Sequence, residues 1–229
     1  MSIWIKICGT TNVEDARSAV DAGADALGFI FAPSPRRIKP RDAARIISEL
    51  PGAVEKIGVF VNQTPELIRA TMEEAGLTGV QLHGDEDVEF ARTLLKAVDG
   101  REQRPRIIKA LPLAIGGSEK SVAFDAGAEE VLDALLLDSG ADARRGGTGR
   151  QFDWQDAAPM VRFVARKFKI IVAGGLNPSN VTEAVRLFHP WGVDVVSGVE
   201  KEPGRKDPVK LREFIAAVRE EKVHATGQK

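Results

Sequence analysis

Eight short apolar, β-branched runs interleaved with amphipathic segments limit what this chain can fold into more than any other feature. They lie at residues 3–8, 26–31, 56–61, 79–83, 106–110, 134–138, 169–173 and 193–197. Nearly every position within them is apolar, the pattern of parallel strands buried on both faces rather than of half-exposed antiparallel ones. They recur at roughly 25–30-residue intervals, the length of a βα unit. Helix start signals fall between them. Asn12 precedes an acidic first turn at Glu14 and Asp15, Thr64 precedes Pro65 with Gly76 at the exit, and Asn177-Pro178 and Asp207-Pro208 repeat the polar-then-proline start. Eight strand–crossover repeats in one chain favour a closed barrel over an open doubly wound sheet. The expectation is an α/β chain forming a single (β/α)8 TIM barrel over residues 1–220, with 221–229 as a C-terminal tail.

Composition narrows the function. Lys and Arg number 32 against 33 Asp and Glu, a formal net charge of −1, far from the one-sided basic footprint of a nucleic-acid binder. Basic pairs such as Arg36-Arg37 and Arg144-Arg145 are local, so any anion they meet is small. A single cysteine rules out an internal disulfide and fits a reducing compartment. The N-terminal residues lack the pattern of a secretory signal, and no apolar run approaches the ~20 residues of a membrane span. The chain is expected to work in the cytoplasm, as a monomer or a homodimer, with no nucleic-acid or membrane partner.

In a barrel of this kind the chemistry sits at the C-terminal ends of the strands, which here carry Cys8, Arg36 just beyond strand two, His83, Asp138, Gly174-Gly175 and Ser197-Gly198. A lone cysteine can be no more than a small buried hydrophobe. Alternation, however, places Cys8 on the same strand face as Lys6, and an ammonium group there would lower the thiol pKa and favour a basic or nucleophilic thiolate. Asp138 closes an all-leucine run, where a carboxylate must be solvated, paired or functional. Partial burial would let it hold a proton and serve as an acid. His83 reads either as a proton shuttle or as a hydrogen-bonded structural group.

Two glycine-bearing strand ends point to phosphate. Gly174-Gly175 and Ser197-Gly198 follow strands seven and eight, where backbone N–H groups can approach an anion closely, and phosphate sites recur there in barrel enzymes. Arg36 is presented by a proline-stiffened loop and suits bidentate carboxylate recognition, although a plain surface charge would also fit. The long loop at 139–152 carries Gly146-Gly147-Thr148-Gly149, which suits a mobile lid, a further phosphate contact or a simple turn.

Taken together, Lys6-Ile7-Cys8-Gly9, Gly28-Phe29-Ile30-Phe31 with Ser34-Pro35-Arg36, Gln81-Leu82-His83-Gly84, Leu136-Leu137-Asp138, Ala173-Gly174-Gly175-Leu176-Asn177 and Ser197-Gly198-Val199-Glu200 resemble the phosphoribosylanthranilate isomerases of tryptophan biosynthesis. The resemblance runs in order from strand one to Pro203-Gly204-Arg205-Lys206-Asp207. It implies an Amadori rearrangement of N-(5'-phosphoribosyl)anthranilate with Cys8 as general base and Asp138 as general acid. It also implies Arg36 on the anthranilate carboxylate and phosphate contacts from Gly174, Gly175, Ser197 and Gly198; His83, at its own strand end, is expected as a further substrate-binding residue.

The chemistry of an aldose–ketose isomerisation agrees, since one proton removed and one supplied require neither cofactor nor metal. The three histidines show no ligand spacing. Two rivals remain. The related isomerase of histidine synthesis would place a carboxylate at Cys8 and need a second glycine-rich anion site. A binding-only barrel would keep the glycine loops and lose one of the acid–base pair.

Overall fold

The computed structural model describes residues 2–100, 102–112, 127–138 and 154–226. Eight parallel strands close into one barrel in sequence order: β1 (Trp4–Cys8), β2 (Ala26–Ile30), β3 (Glu55–Phe60), β4 (Gly79–Leu82), β5 (Arg106–Pro112), β6 (Ala134–Asp138), β7 (Ile170–Ala173) and β8 (Gly192–Val195). The helices are α1 (Val13–Asp21), α2 (Pro40–Ile47), α3 (Pro65–Ala75), α4 (Val88–Ala97), α5 (Trp154–Val164), α6 (Val181–Phe188) and α7 (Pro208–Thr226). A short antiparallel hairpin, β9 (Glu200–Glu202) and β10 (Arg205–Lys206), intervenes between β8 and α7.

The start signals act as their chemistry requires at three of the four expected places. Asn12 accepts from the Asp15 amide, Thr64 from the Leu67 amide, and Asp207 from the Val209 amide. Gly76 ends α3 in the left-handed conformation at φ 75°, which a Cβ would disfavour. The fourth differs. Asn177-Pro178 opens a turn instead of a helix: Asn177 Oδ1 accepts from the Ser179 amide at 2.9 Å, and α6 begins at Val181.

Side-chain alternation splits the core in two. Outward-facing Leu27, Phe29, Phe60, Leu82, Ile107, Leu135 and Leu137 pack under the helices, while Trp4, Ala26, Ile57, Ile108, Ala134, Leu136 and Ile171 fill the barrel. The N-terminal end of the barrel is plugged by Trp4 stacked on Trp191 with centroids 5.1 Å apart. Arg106 lies over the Trp191 ring at 5.2 Å and pairs with Glu55 at 2.6 Å, and the Trp4 indole N–H donates to Glu55. This end of a barrel serves stability and the other serves chemistry. Trp4→Ala should therefore lower the unfolding free energy by ~3–5 kcal/mol, read by urea denaturation, with kcat unchanged under conditions where the variant is folded.

Candidate active site

At the C-terminal end of the barrel a cavity of about 570 Å³ is lined by Cys8, Arg36, His83, Asp138, Gly174, Gly175 and Ser197, together with Gln81, Asp194 and apolar side chains. Residues expected separately from strands one, two, four, six, seven and eight thus meet in one place. Arg37, the second member of the basic pair, is exposed. Gly198 lies just behind the lining, with no room for a side chain: an added Cβ would sit 1.8 Å from the Leu176 carbonyl oxygen. The loop 139–152, with Arg144, Arg145 and Gly146–Gly149, lies outside the described residues.

Cys8 points into the barrel because its strand parity does, and Gly28, its register partner on β2, makes the space for it. A Cβ on Gly28 would lie 2.5 Å from the Cys8 sulfur. The thiol is 3% exposed, and its protonation is set by competing neighbours. Burial pushes its pKa up, Lys6 pulls it down, Asp194 pushes it up and Lys206 pulls it down, for a net rise. Lys6 does favour the thiolate, as their shared strand face suggests, but its pull does not carry the thiol below its ordinary value. Lys6 lies 2.7 Å from the Asp194 carboxylate, so its charge is largely spent on that pair and does not outweigh burial. Lys6 itself stays charged: burial opposes this, but Asp194 and Cys8 raise its pKa.

A thiol whose pKa is raised is less ionised at neutral pH, so the rate of Cys8 alkylation should keep climbing with pH past about 8.5, the ordinary thiol value. A rate profile on the free enzyme checks this. A plateau already reached near neutrality would show that the pull of Lys6 outweighs burial.

Asp138 is the last residue of β6 and faces the cavity. His83 Nε2 stands 3.7 Å from its Oδ2, too long for a hydrogen bond. Gln81 holds the other side of the imidazole, with Nε2 2.7 Å from His83 Nδ1. With the amide N–H₂ donating, Nδ1 is the acceptor and the ring proton sits on Nε2, facing Asp138.

In the loop after β7, Gly174 and Gly175 both adopt positive φ, 86° and 68°, which turns successive amides in a way other residues resist. The Gly175 carbonyl is held by the Asn180 side chain at 3.0 Å. The amides of Gly175 and Ser197 have no acceptor among the described residues, and both residues line the cavity. Free amides lining a pocket are suited to anion oxygens.

Arg36 reaches the cavity edge with its Nε and Nη2 both on Glu200, at 2.9 and 2.6 Å. Its Nη1 makes no hydrogen bond among the described residues.

The arrangement matches a known group of enzymes. Residues 5–217 match the family model for N-(5'-phosphoribosyl)anthranilate (PRA) isomerase. The chain belongs to the N-(5'-phosphoribosyl)anthranilate isomerase family. A curated family member from Pelobacter propionicus is 44% identical over 226 residues, covering 98% of this chain and 99% of its own. The crystal structure of the Thermotoga maritima phosphoribosyl anthranilate isomerase superposes with a TM-score of 0.79 at 39% identity, covering 95% of this chain and 99% of its own. A phosphoribosyl anthranilate isomerase solved in complex with reduced 1-(o-carboxyphenylamino)-1-deoxyribulose 5-phosphate gives 0.76 at 37% identity, over 95% of this chain and 99% of its own.

Beyond the expected residues, the isomerase barrel places Asp194, Gln81, Glu200 and Lys206 at or against the site. Asp194 carried a readable signal, a carboxylate inside the apolar run of β8, the same reasoning that singled out Asp138. Lys206 and Glu200 lay within segments that resemble the family but carried no local sign of their role.

Proposed function

We propose that this chain converts N-(5'-phosphoribosyl)anthranilate into 1-(o-carboxyphenylamino)-1-deoxyribulose 5-phosphate, a step of tryptophan synthesis, by general acid–base catalysis. The observation that carries the reading is a thiol and a carboxyl from β1 and β6 facing one cavity whose rim offers free amides and a half-buried guanidinium. Asp138 gives its proton to the furanose ring oxygen. The C1'–O bond breaks as the nitrogen lone pair forms a protonated imine. The Cys8 thiolate then removes the C2' proton, the electron pair forms the C1'–C2' double bond, and the neutral enolamine tautomerises to the aminoketose. Atoms and charge balance without a redox partner.

Phosphate bound at Gly174, Gly175, Ser197 and Gly198 fixes one end of the substrate and the Arg36 guanidinium fixes the anthranilate carboxylate. The binding energy of these remote groups is then available to align C2' with the thiolate. His83, with its Nε2–H towards Asp138, supports the carboxylate left after proton donation. The decisive assay generates the substrate freshly from ribose 5-phosphate and anthranilate and follows its loss by fluorescence. Catalysed turnover supports the assignment, and an inert enzyme that still binds the substrate overturns it in favour of a binding-only barrel.

A further inference from the structure

The hairpin β9–β10 delivers a second charged set to the rim. Lys206 is 1% exposed and its ammonium group has three acceptors: the Cys8 carbonyl at 2.6 Å, the Val196 carbonyl at 3.1 Å and Glu200 Oε1 at 3.2 Å. Glu200, almost as deeply buried, also receives the Gly204 amide at 3.2 Å and both Nε and Nη2 of Arg36. A continuous chain of hydrogen bonds therefore runs from the base's own carbonyl through Lys206 and Glu200 to the guanidinium.

Burying two charges is costly, and well-packed apolar residues commonly hold a fold as well or better, so closing the hairpin does not by itself account for them. Their arrangement has a specific product. Two of the three guanidinium nitrogens are fixed in one plane by a carboxylate, and Nη1 remains for another. Burial works against ionisation of Glu200, yet Arg36 and Lys206 together hold its pKa below the ordinary value, so this anchor is charged throughout the working range.

We propose that Glu200 and Lys206 are positioning residues that orient Arg36 for the carboxylate of the aglycone, and so select a carboxylated aromatic amine over an uncarboxylated one. The proposal rests on the assignment of Arg36 to that carboxylate. Lys206 ties the same device to the β1 and β8 ends, so the carboxylate grip and the base share one frame.

The test compares kcat/KM for two glycosylamines of ribose 5-phosphate, one formed with anthranilate and one with aniline, across wild type, Arg36→Met, Glu200→Gln and Lys206→Met. A merely structural loss lowers both substrates by the same factor and leaves their ratio unchanged. The expected result is that Arg36→Met abolishes the preference for the anthranilate compound. Glu200→Gln should cut it about tenfold, the difference between a bidentate ion pair and a single hydrogen bond from the guanidinium to a neutral amide oxygen. Lys206→Met, if it folds, should cut the preference and lower kcat as well. A preference retained by Glu200→Gln and lost by Arg36→Met overturns the positioning role alone. A preference retained by Arg36→Met overturns the Arg36 assignment on which that role rests.

Discussion

Asp138→Asn should lower kcat by roughly 10²–10⁴-fold, the usual contribution of a positioned general acid, while binding of a product analogue changes little. Asparagine keeps the shape and the reach to His83 but has no carboxylic proton to give to the ring oxygen. Steady-state kinetics beside a binding titration separate the two effects. His83, at 3.7 Å from Asp138, is the competing donor. His83→Ala should therefore cost less than Asp138→Asn, and the reverse order would move the acid to the imidazole. Thermal unfolding of Asp138→Asn should stay close to wild type, because the carboxylate is a quarter exposed and ends its strand instead of filling the core.

Gly198→Ala should raise KM roughly tenfold or more, since losing even ~1.4 kcal/mol of phosphate binding is a factor of ten. The ideal Cβ would stand 1.8 Å from the Leu176 oxygen, 2.8 Å from its carbonyl carbon and 2.9 Å from the Asn177 Cα. All three are backbone atoms, so no side chain can rotate away and the loops after β7 and β8 must separate. Those loops carry Gly175 and Ser197, both of which line the cavity. Inorganic phosphate, titrated as a competitive inhibitor, should weaken in parallel with substrate. An unchanged inhibition constant would show that the two loops do not form the anion site together.

The eight strands were legible because a strand buried on both faces writes itself as an unbroken apolar run. Bounds moved by a residue or two, as where β8 occupies Gly192–Val195. Alternation placed Cys8 and Lys6 on one face, and glycines marked the loops after β7 and β8. The start of α6 was misread because an asparagine before a proline caps a helix or closes a turn with the same hydrogen bond. Here Asn180, not Asn177, precedes the first helical turn.

The protonation of Cys8 was illegible for a different reason. Lys6 meets Asp194 through the β1–β8 register, a pairing created by barrel closure that no local pattern announces. The same holds for Lys206, whose bond to the Cys8 carbonyl spans 198 positions of sequence. Local rules located the groups, while the charges that tune them came from the opposite end of the chain.

The most direct test of the account is single-turnover conversion of substrate carrying deuterium at C2', by wild type and by Cys8→Ser. The account predicts a primary isotope effect on the wild-type rate and a fall of roughly 10²-fold or more in Cys8→Ser, with phosphate still bound. A Cys8→Ser enzyme that turns over at the wild-type rate with the same isotope effect would contradict it, and the base would have to be sought elsewhere in the cavity.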